Sequence, residues 1–368
     1  MNKSHCARMF IAALALGLTF FTVPGASQEH TAAVRADDTE LLMLGTAGGP
    51  PLRKDRSEPA TLLIVDGRPY LIDCGIGTIR RLVEVGIPSE TIGTIFLTHL
   101  HPDHDLGLVD VMANDYFHLD LASDPRKIDI YGPLQTTELV EAAFHYISIP
   151  FEVFAAEKPG FQLGMPNHGL TSPFVAHEVD AEGVAYRDDK IQITAAENSH
   201  YALMPARFRA HFKSYSYRIQ TPHGVVIFTG DTGPSDAVVK LATGADVLVS
   251  EVEESSDELR GFIDHMATQN HWVPARKQQF AAHMLKEHLT VDSLGELASK
   301  AQVHSVLFNH YDPQDKAEQQ ARVDSMKKYF RGPVLAPNDL DRFCLSKDEA
   351  QSGKAKFELC AQNTADQK

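Results

Sequence analysis

The segment Thr98-His99-Leu100-His101-Pro102-Asp103-His104 packs three imidazoles and a carboxylate into six positions, directly behind the apolar run Thr94-Ile95-Phe96-Leu97. Polar groups this dense are rarely kept for packing, because each would need its own buried partner. Pro102 breaks helix and stiffens the loop, so the side chains are expected to fan out at the C-terminal end of the 94–97 strand. Imidazole and carboxylate ligands suit zinc and neighbouring divalent ions such as manganese and iron. His99 and His101, two positions apart, reach one ion, while Asp103 and His104 reach a second. That is a two-metal design. A surface histidine cluster is the plainer alternative, and the buried strand before the loop speaks against it.

One loop cannot complete two coordination shells. Further ligands are expected at other strand ends, and three candidates stand there: His200 after a strand at 191–195, Asp231 after 225–228 and His310 after 303–308. Singly, each reads as a satisfied polar or core residue. Their shared placement favours ligation, because ligands collect at strand ends in open α/β folds. Strands at 61–65 and 70–72 flank an Asp66-Gly67 hairpin turn. Further strands are expected at 128–133, 215–219 and 246–250, the last ending at Glu251. Helices are expected at 79–85, 136–146, 278–286 and 291–301. This alternation indicates α/β packing without a linker between domains. A less regular, proline-rich stretch around 120–185 is read as an inserted segment, part sheet and part overhanging loop.

The loop His99-x-His101-x-Asp103-His104, followed in order by His200, Asp231 and His310, resembles the metallo-β-lactamase superfamily. The resemblance covers roughly residues 40–312 and implies an αβ/βα four-layer sandwich with a dinuclear site along one edge. It implies His99, His101 and His200 on one metal, Asp103, His104 and His310 on the other, and Asp231 bridging. Best-known metallo-β-lactamases carry cysteine where this chain has Asp231, and diiron relatives carry glutamate where it has His101. Both departures favour ester hydrolysis over antibiotic or redox chemistry. Leu44-Gly45-Thr46, Arg56-Ser57, Asp73-Cys74-Gly75, Tyr217-Arg218-Ile219, Phe228-Thr229-Gly230-Asp231-Thr232 and His288-Leu289-Thr290 are similar to the ribonuclease Z and arylsulfatase-like branch. His288 lies 22 positions before His310 (310 minus 288), the spacing of that branch's catalytic histidine. His200 and Asp231 are only 31 apart (231 minus 200), which leaves no room for the extra segment that branch carries there.

The start of the chain has the pattern of an export signal over 1–27: Lys3 and Arg8, then an apolar run of 15 residues (9–23), then Pro24-Gly25-Ala26-Ser27. That run is short for a spanning helix, which needs about 20 residues. Cleavage between Gly25 and Gln28 would leave one domain over 28–368, periplasmic or secreted, without a membrane anchor. Losing Lys3 and Arg8 and no acid moves the formal charge from −15 to −17. Such a charge disfavours a long nucleic-acid substrate, whose binding needs surface Lys and Arg. Of the cysteines left, Cys344 and Cys360 either pair in an oxidising compartment or stay free with Cys74.

The resemblance implies a hydroxide generated between two divalent ions, zinc first, with Asp103 orienting it and taking its proton. His288 is placed to protonate the leaving group; His283, in the expected 278–286 helix, is read as structural. Tyr311 either donates to substrate or packs over the metal edge. Arg207, Arg209, His211 and Lys213 alternate, so an extended chain would align them on one face to collect a small anion, or else they form a solvated face. Asn198 and Tyr201 flank His200 as pocket candidates. The expected activity is hydrolysis of small anionic esters, phosphodiester or aryl sulfate. The alternatives are a lactonase with an apolar pocket from Tyr146, Ile147, Phe151 and Phe154, ribonuclease Z-like tRNA 3′ processing, and a non-catalytic metal-binding protein. Similar proteins are commonly homodimers.

Overall fold

Leu41 and Met43 face one buried apolar layer while Leu42 and Leu44 face another, so the strand they share is apolar on both sides. A sheet covered on both faces requires that pattern. The computed structural model describes residues 38–118, 126–157, 172–347 and 355–360. The leader expected over 1–27 lies outside them, as do 119–125 and 158–171 of the expected insertion.

In chain order the strands are β1 (Thr39–Gly45), β2 (Ala60–Val65), β3 (Arg68–Ile72), β4 (Thr94–Phe96), β5 (Ile128–Pro133), β6 (Phe174–Val179), β7 (Gly183–Arg187) and β8 (Gln192–Glu197). They continue with β9 (Tyr215–Gln220), β10 (Val225–Phe228), β11 (Val247–Ser250), β12 (Ser305–Phe308), β13 (Val334–Leu335), β14 (Arg342–Lys347) and β15 (Ala355–Leu359). One eight-stranded sheet has the order β15-β14-β1-β2-β3-β4-β5-β6, and a seven-stranded sheet has the order β13-β12-β11-β10-β9-β8-β7. The helices are α1 (Thr78–Glu84), α2 (Pro102–Asp105), α3 (Leu108–His118), α4 (Thr136–Glu157), α5 (Ala206–Arg209), α6 (Asp236–Ala242), α7 (Ser256–Gln269), α8 (Pro274–Lys286), α9 (Val291–Ala301) and α10 (Lys316–Met326).

Three apolar layers separate these elements. Leu62, Leu71, Ile95 and Ile130 pack outward onto Leu82, Met112 and Val140 of α1, α3 and α4. Leu63, Phe96, Ile193, Tyr217, Phe228 and Leu307 fill the space between the sheets. Ile227, Leu248 and Val306 pack outward onto Val238, Leu294 and Met326 of α6, α9 and α10. The result is the expected αβ/βα sandwich.

Two expectations are corrected. Pro102 starts a one-turn helix instead of stiffening an open loop; proline suits the first helical position, where its missing N–H would have had no partner. The 136–146 helix continues to Glu157 through Pro150. Ile147 is buried in the core, and Phe151 packs on Tyr116 of α3 at 4.9 Å between ring centroids. Those two side chains are spent on packing, whereas Tyr146 of the same reading is exposed. Within the expected insertion, β5 and β6 join the eight-stranded sheet on either side of α4 in the sequence.

Candidate metal centre and active site

Strand ends supply the centre. Behind β4, the Thr98 backbone N–H and hydroxyl both reach the Asp73 carboxylate, at 2.8 and 3.0 Å. The other Asp73 oxygen lies 2.9 Å from His104 Nδ1 and fixes that ring. His104 then turns Nε2 towards Asp231 Oδ1, 3.3 Å away behind β10. His310, behind β12, sets Nε2 3.1 Å from Asp103 Oδ2 and 3.5 Å from Asp231 Oδ2. His99 Nε2 is 3.8 Å from Asp231 Oδ2, and His200 Nε2 is 3.1 Å from His101 Nδ1. Asp73 and His310 hold left-handed backbone, with φ 57° and 43°. Such a conformation costs on the order of 1–3 kcal/mol outside glycine and persists where the surroundings over-determine it.

All seven residues proposed as ligands therefore converge, in two overlapping groups. His99, His101, His200 and Asp231 form one, and Asp103, His104, Asp231 and His310 the other; within each, the ligand atoms lie within 4.8 Å of one another. Asp231 belongs to both. Among the described residues, His99 Nε2, His104 Nε2 and Asp231 Oδ1 are buried without a hydrogen-bond partner. Left so, each would cost about 1–3 kcal/mol. Divalent cations at this point would satisfy all three, and nitrogen and oxygen donors are what such ions take. The residues fit the metals.

Electrostatics follow burial and pairing. Burial pushes the His99 ring well below its ordinary value and His200 down to about 3, so both present neutral nitrogens. Burial opposes a charged Asp231, but His310 and His104 outweigh it and hold the carboxyl well below the usual range. Burial likewise opposes Asp103, and the His310 hydrogen bond with the His104 charge keeps it ionised.

His288 is buried beside this centre, Nδ1 4.0 Å from Asp231 Oδ2. Its partner is Glu251 at the end of β11, with Oε2 2.7 Å from Nδ1. Burial works against the charged ring, but the Glu251 charge and hydrogen bond outweigh it and push His288 up to about 10. Glu251 also accepts the Thr232 backbone N–H and so ties the Asp231 turn to His288. The sequence ended a strand at Glu251 without assigning it a role; its place at a strand end, shared with the ligands, was the available signal.

The remaining candidates divide. Tyr201 lays its ring 5.4 Å from His101 and 6.1 Å from His99, over the first ligand group. Asn198 is half-buried and turned to the backbone: its Oδ1 accepts the His200 N–H and its Nδ2 donates to the Thr229 carbonyl, which positions His200. Tyr311 donates its hydroxyl to the Pro337 carbonyl at 2.5 Å and lies under the Arg56 guanidinium, so it packs and does not offer that hydroxyl to substrate. Arg207 and Arg209 are exposed on α5, where helical geometry turns them to opposite sides; the shared face drawn from an extended chain is not formed. His283, read as structural, is half-buried with its ring 4.9 Å from His288 and Nδ1 2.8 Å from Glu287.

Residues 68–311 match the family described as the beta-lactamase superfamily domain. The chain is 30% identical over 310 residues to a ribonuclease Z of Mycobacterium bovis, covering 82% of this chain and 97% of the relative. A ribonuclease Z of Mycolicibacterium gilvum is 28% identical over 74% of this chain and 84% of its own. Among solved structures, the short form of human tRNase Z gives a TM-score of 0.54 at 18% identity, covering 82% of this chain and 98% of that one. The metallo-beta-lactamase fold protein YhfI of Bacillus subtilis gives 0.58 at 17% identity, covering 84% and 100%. Likeness at such identity speaks for the fold alone; the ribonuclease Z relatives carry more. The chain belongs to the metallo-β-lactamase superfamily, on its ribonuclease Z branch, and is a metal-dependent hydrolase.

Proposed function

We propose that the chain is a phosphodiesterase of the ribonuclease Z kind, working with two divalent ions, zinc first, and cleaving P–O bonds in an oligonucleotide. The observation that carries this is the buried Glu251–His288 pair beside the double ligand group. When bound, the ions would supply an acidified water and positive charge for the phosphoryl oxygens. Asp103, kept ionised, can only accept at its carboxylate, so it orients the attacking water and takes its proton. His288 is held by Glu251 at Nδ1, which leaves Nε2 as the donor to the departing oxygen. After that transfer the neutral ring keeps its Nδ1–H on Glu251 and does not swing away.

Aryl sulfate cleavage rests on the resemblance alone, and two of the four residues of the lactonase reading, Ile147 and Phe151, are engaged in packing. A substrate smaller than precursor tRNA is favoured by one feature: between His200 and the strand β9 the chain makes only short turns and the four-residue α5. The test is a parallel assay of bis(4-nitrophenyl) phosphate, an aryl sulfate and an acyl lactone, with Asp103→Ala beside the wild type. Turnover of the phosphodiester is expected, and its loss by about 10²–10⁴-fold in the variant. Full activity in Asp103→Ala, or turnover of the sulfate or lactone only, would sink the reading.

We further propose that the chain is exported and matures by cleavage after Gly25, Ala26 or Ser27. Support comes from the leader pattern and from the Cys344–Cys360 disulfide, which ties β14 to the residue after β15. Disulfides persist in oxidising compartments.

A further inference from the structure

Between Glu251 and His288 the chain runs out and back as α7 and α8. No residue of α8 is fully buried, and its thirteen residues hold Arg276, Lys277, His283 and Lys286 with no acid, in a chain of formal charge −15. At about 100° per residue, Arg276, Gln279, His283 and Lys286 fall within an arc of about 80° on one side of the helix. Lys277 lies outside that arc and is spent on α7, its Nζ 2.7 Å from Asp264 Oδ1. The stripe is thus turned away from α7.

Its C-terminal end is fastened to the metal centre. The His200 Nδ1 lies 3.0 Å from the Glu287 carbonyl, and the Glu287 carboxylate accepts the Leu203 N–H at 2.8 Å. A Cβ at Gly233, two residues past Asp231, would fall 1.7 Å from the Lys286 carbonyl, so only glycine lets the turn approach this closely. His283 meets His288 ring to ring. At the far end, Arg276 is held over the Trp272 ring, 4.8 Å from its centroid, and so projects from a fixed base. The stripe is about 15 Å long at 1.5 Å per residue. It begins in solvent and ends two residues before His288, the proton donor of the proposed mechanism.

We propose that this face of α8 is the track holding the departing strand of a single-stranded oligonucleotide, its phosphates on Arg276 and Lys286 and its scissile end at His288. The inference rests on the phosphodiesterase reading and adds which part of the substrate is held, and by what. The acidic whole-chain charge is no obstacle, because binding by counterion release depends on the cations that meet the phosphates.

The test compares wild type, Arg276→Gln/Lys286→Gln, and Lys300→Gln/Lys328→Gln, which removes the same charge from exposed positions on and after other helices. Each is assayed on an oligoribonucleotide of about ten nucleotides, a length single-strand grooves accept, and on bis(4-nitrophenyl) phosphate. The α8 variant is expected to raise KM for the oligonucleotide about tenfold at low salt and to lower its salt slope by about 1.4, two phosphate contacts' worth. That loss should be confined to the oligonucleotide and absent from the control. Unchanged KM and slope in the α8 variant overturn the inference, as does an equal loss in the control, which would report net charge only. Wild type inert on both substrates overturns the phosphodiesterase reading itself, whereas small-diester turnover with no α8 effect overturns the track alone.

Discussion

The Glu251 carboxylate, 2.7 Å from Nδ1, favours the protonated form of the buried His288. Burial alone would strip the charge; the paired carboxylate reverses the outcome and pushes the ring up to about 10. A folded-state value above the ordinary 6.5 means that the pair's stabilisation is complete below 6.5 and is lost as pH rises through about 10. For catalysis, the alkaline limb of the rate profile should therefore lie high in the wild type. Glu251→Gln removes the charge that dominates, so the limb is expected to move down towards 6.5, as a pH series on bis(4-nitrophenyl) phosphate would record. An unmoved limb would take His288 out of the acid role. The seven candidate ligands, which the structure brings together, could be picked out in the sequence because metal centres concentrate residue types that packing disfavours. Glu251 and Asp73 could not, since one carboxylate after a strand resembles many others until its partner is placed. Asn198 was offered as a pocket residue, and Tyr311 as a donor to substrate or a packing residue, from adjacency to the candidate ligands, and adjacency in sequence does not say where a side chain finds its hydrogen bond.

Loop 48–50 closes over the second ligand group and depends on one residue. The Gly49 N–H points to His310 Nε2 at 3.2 Å, and a Cβ at Gly49 would fall 2.1 Å from Asp103 Oδ2. Gly49→Ala must therefore push either the loop or Asp103 aside. A misplacement of about 1 Å at a reacting group can cost on the order of 100-fold, so turnover is expected to fall by that order while the far-ultraviolet circular dichroism stays native. Unchanged turnover would mean the loop moves freely and has no part in the site. Strands β2 to β5 and β8 to β12 were legible because burial on two faces leaves continuous apolar runs, and α9 because its apolar spacing and Thr290 cap agree; β6, β7 and β13 to β15, with partly exposed faces, were not anticipated. The full length of α4 was hidden by Pro150, which ordinarily ends a helix. Of α7 and α8, only 278–286 of α8 was anticipated, since α8 buries no complete face and α7 carries a mixed polar sequence.

At the scale of the molecule, two sheets bring residues from six strand ends to one edge, and the Cys344–Cys360 bridge ties the last strands of one sheet together. Among the described residues no helix is long and apolar enough to cross a membrane. The charge of −15 is unevenly spread, with α8 free of acids. What joins the distant stretches into a working site is the requirement of His99, His104 and Asp231 for partners that the protein does not supply. Intact mass spectrometry of the purified protein under native conditions reads the consequence directly, with Asp231→Ala alongside. A chain beginning at Ala26, Ser27 or Gln28 and carrying two divalent ions, reduced in the variant, is the expected result. Retention of Met1 would remove the export proposal alone; a wild-type chain holding less than one divalent ion would contradict the metal centre and everything drawn from it.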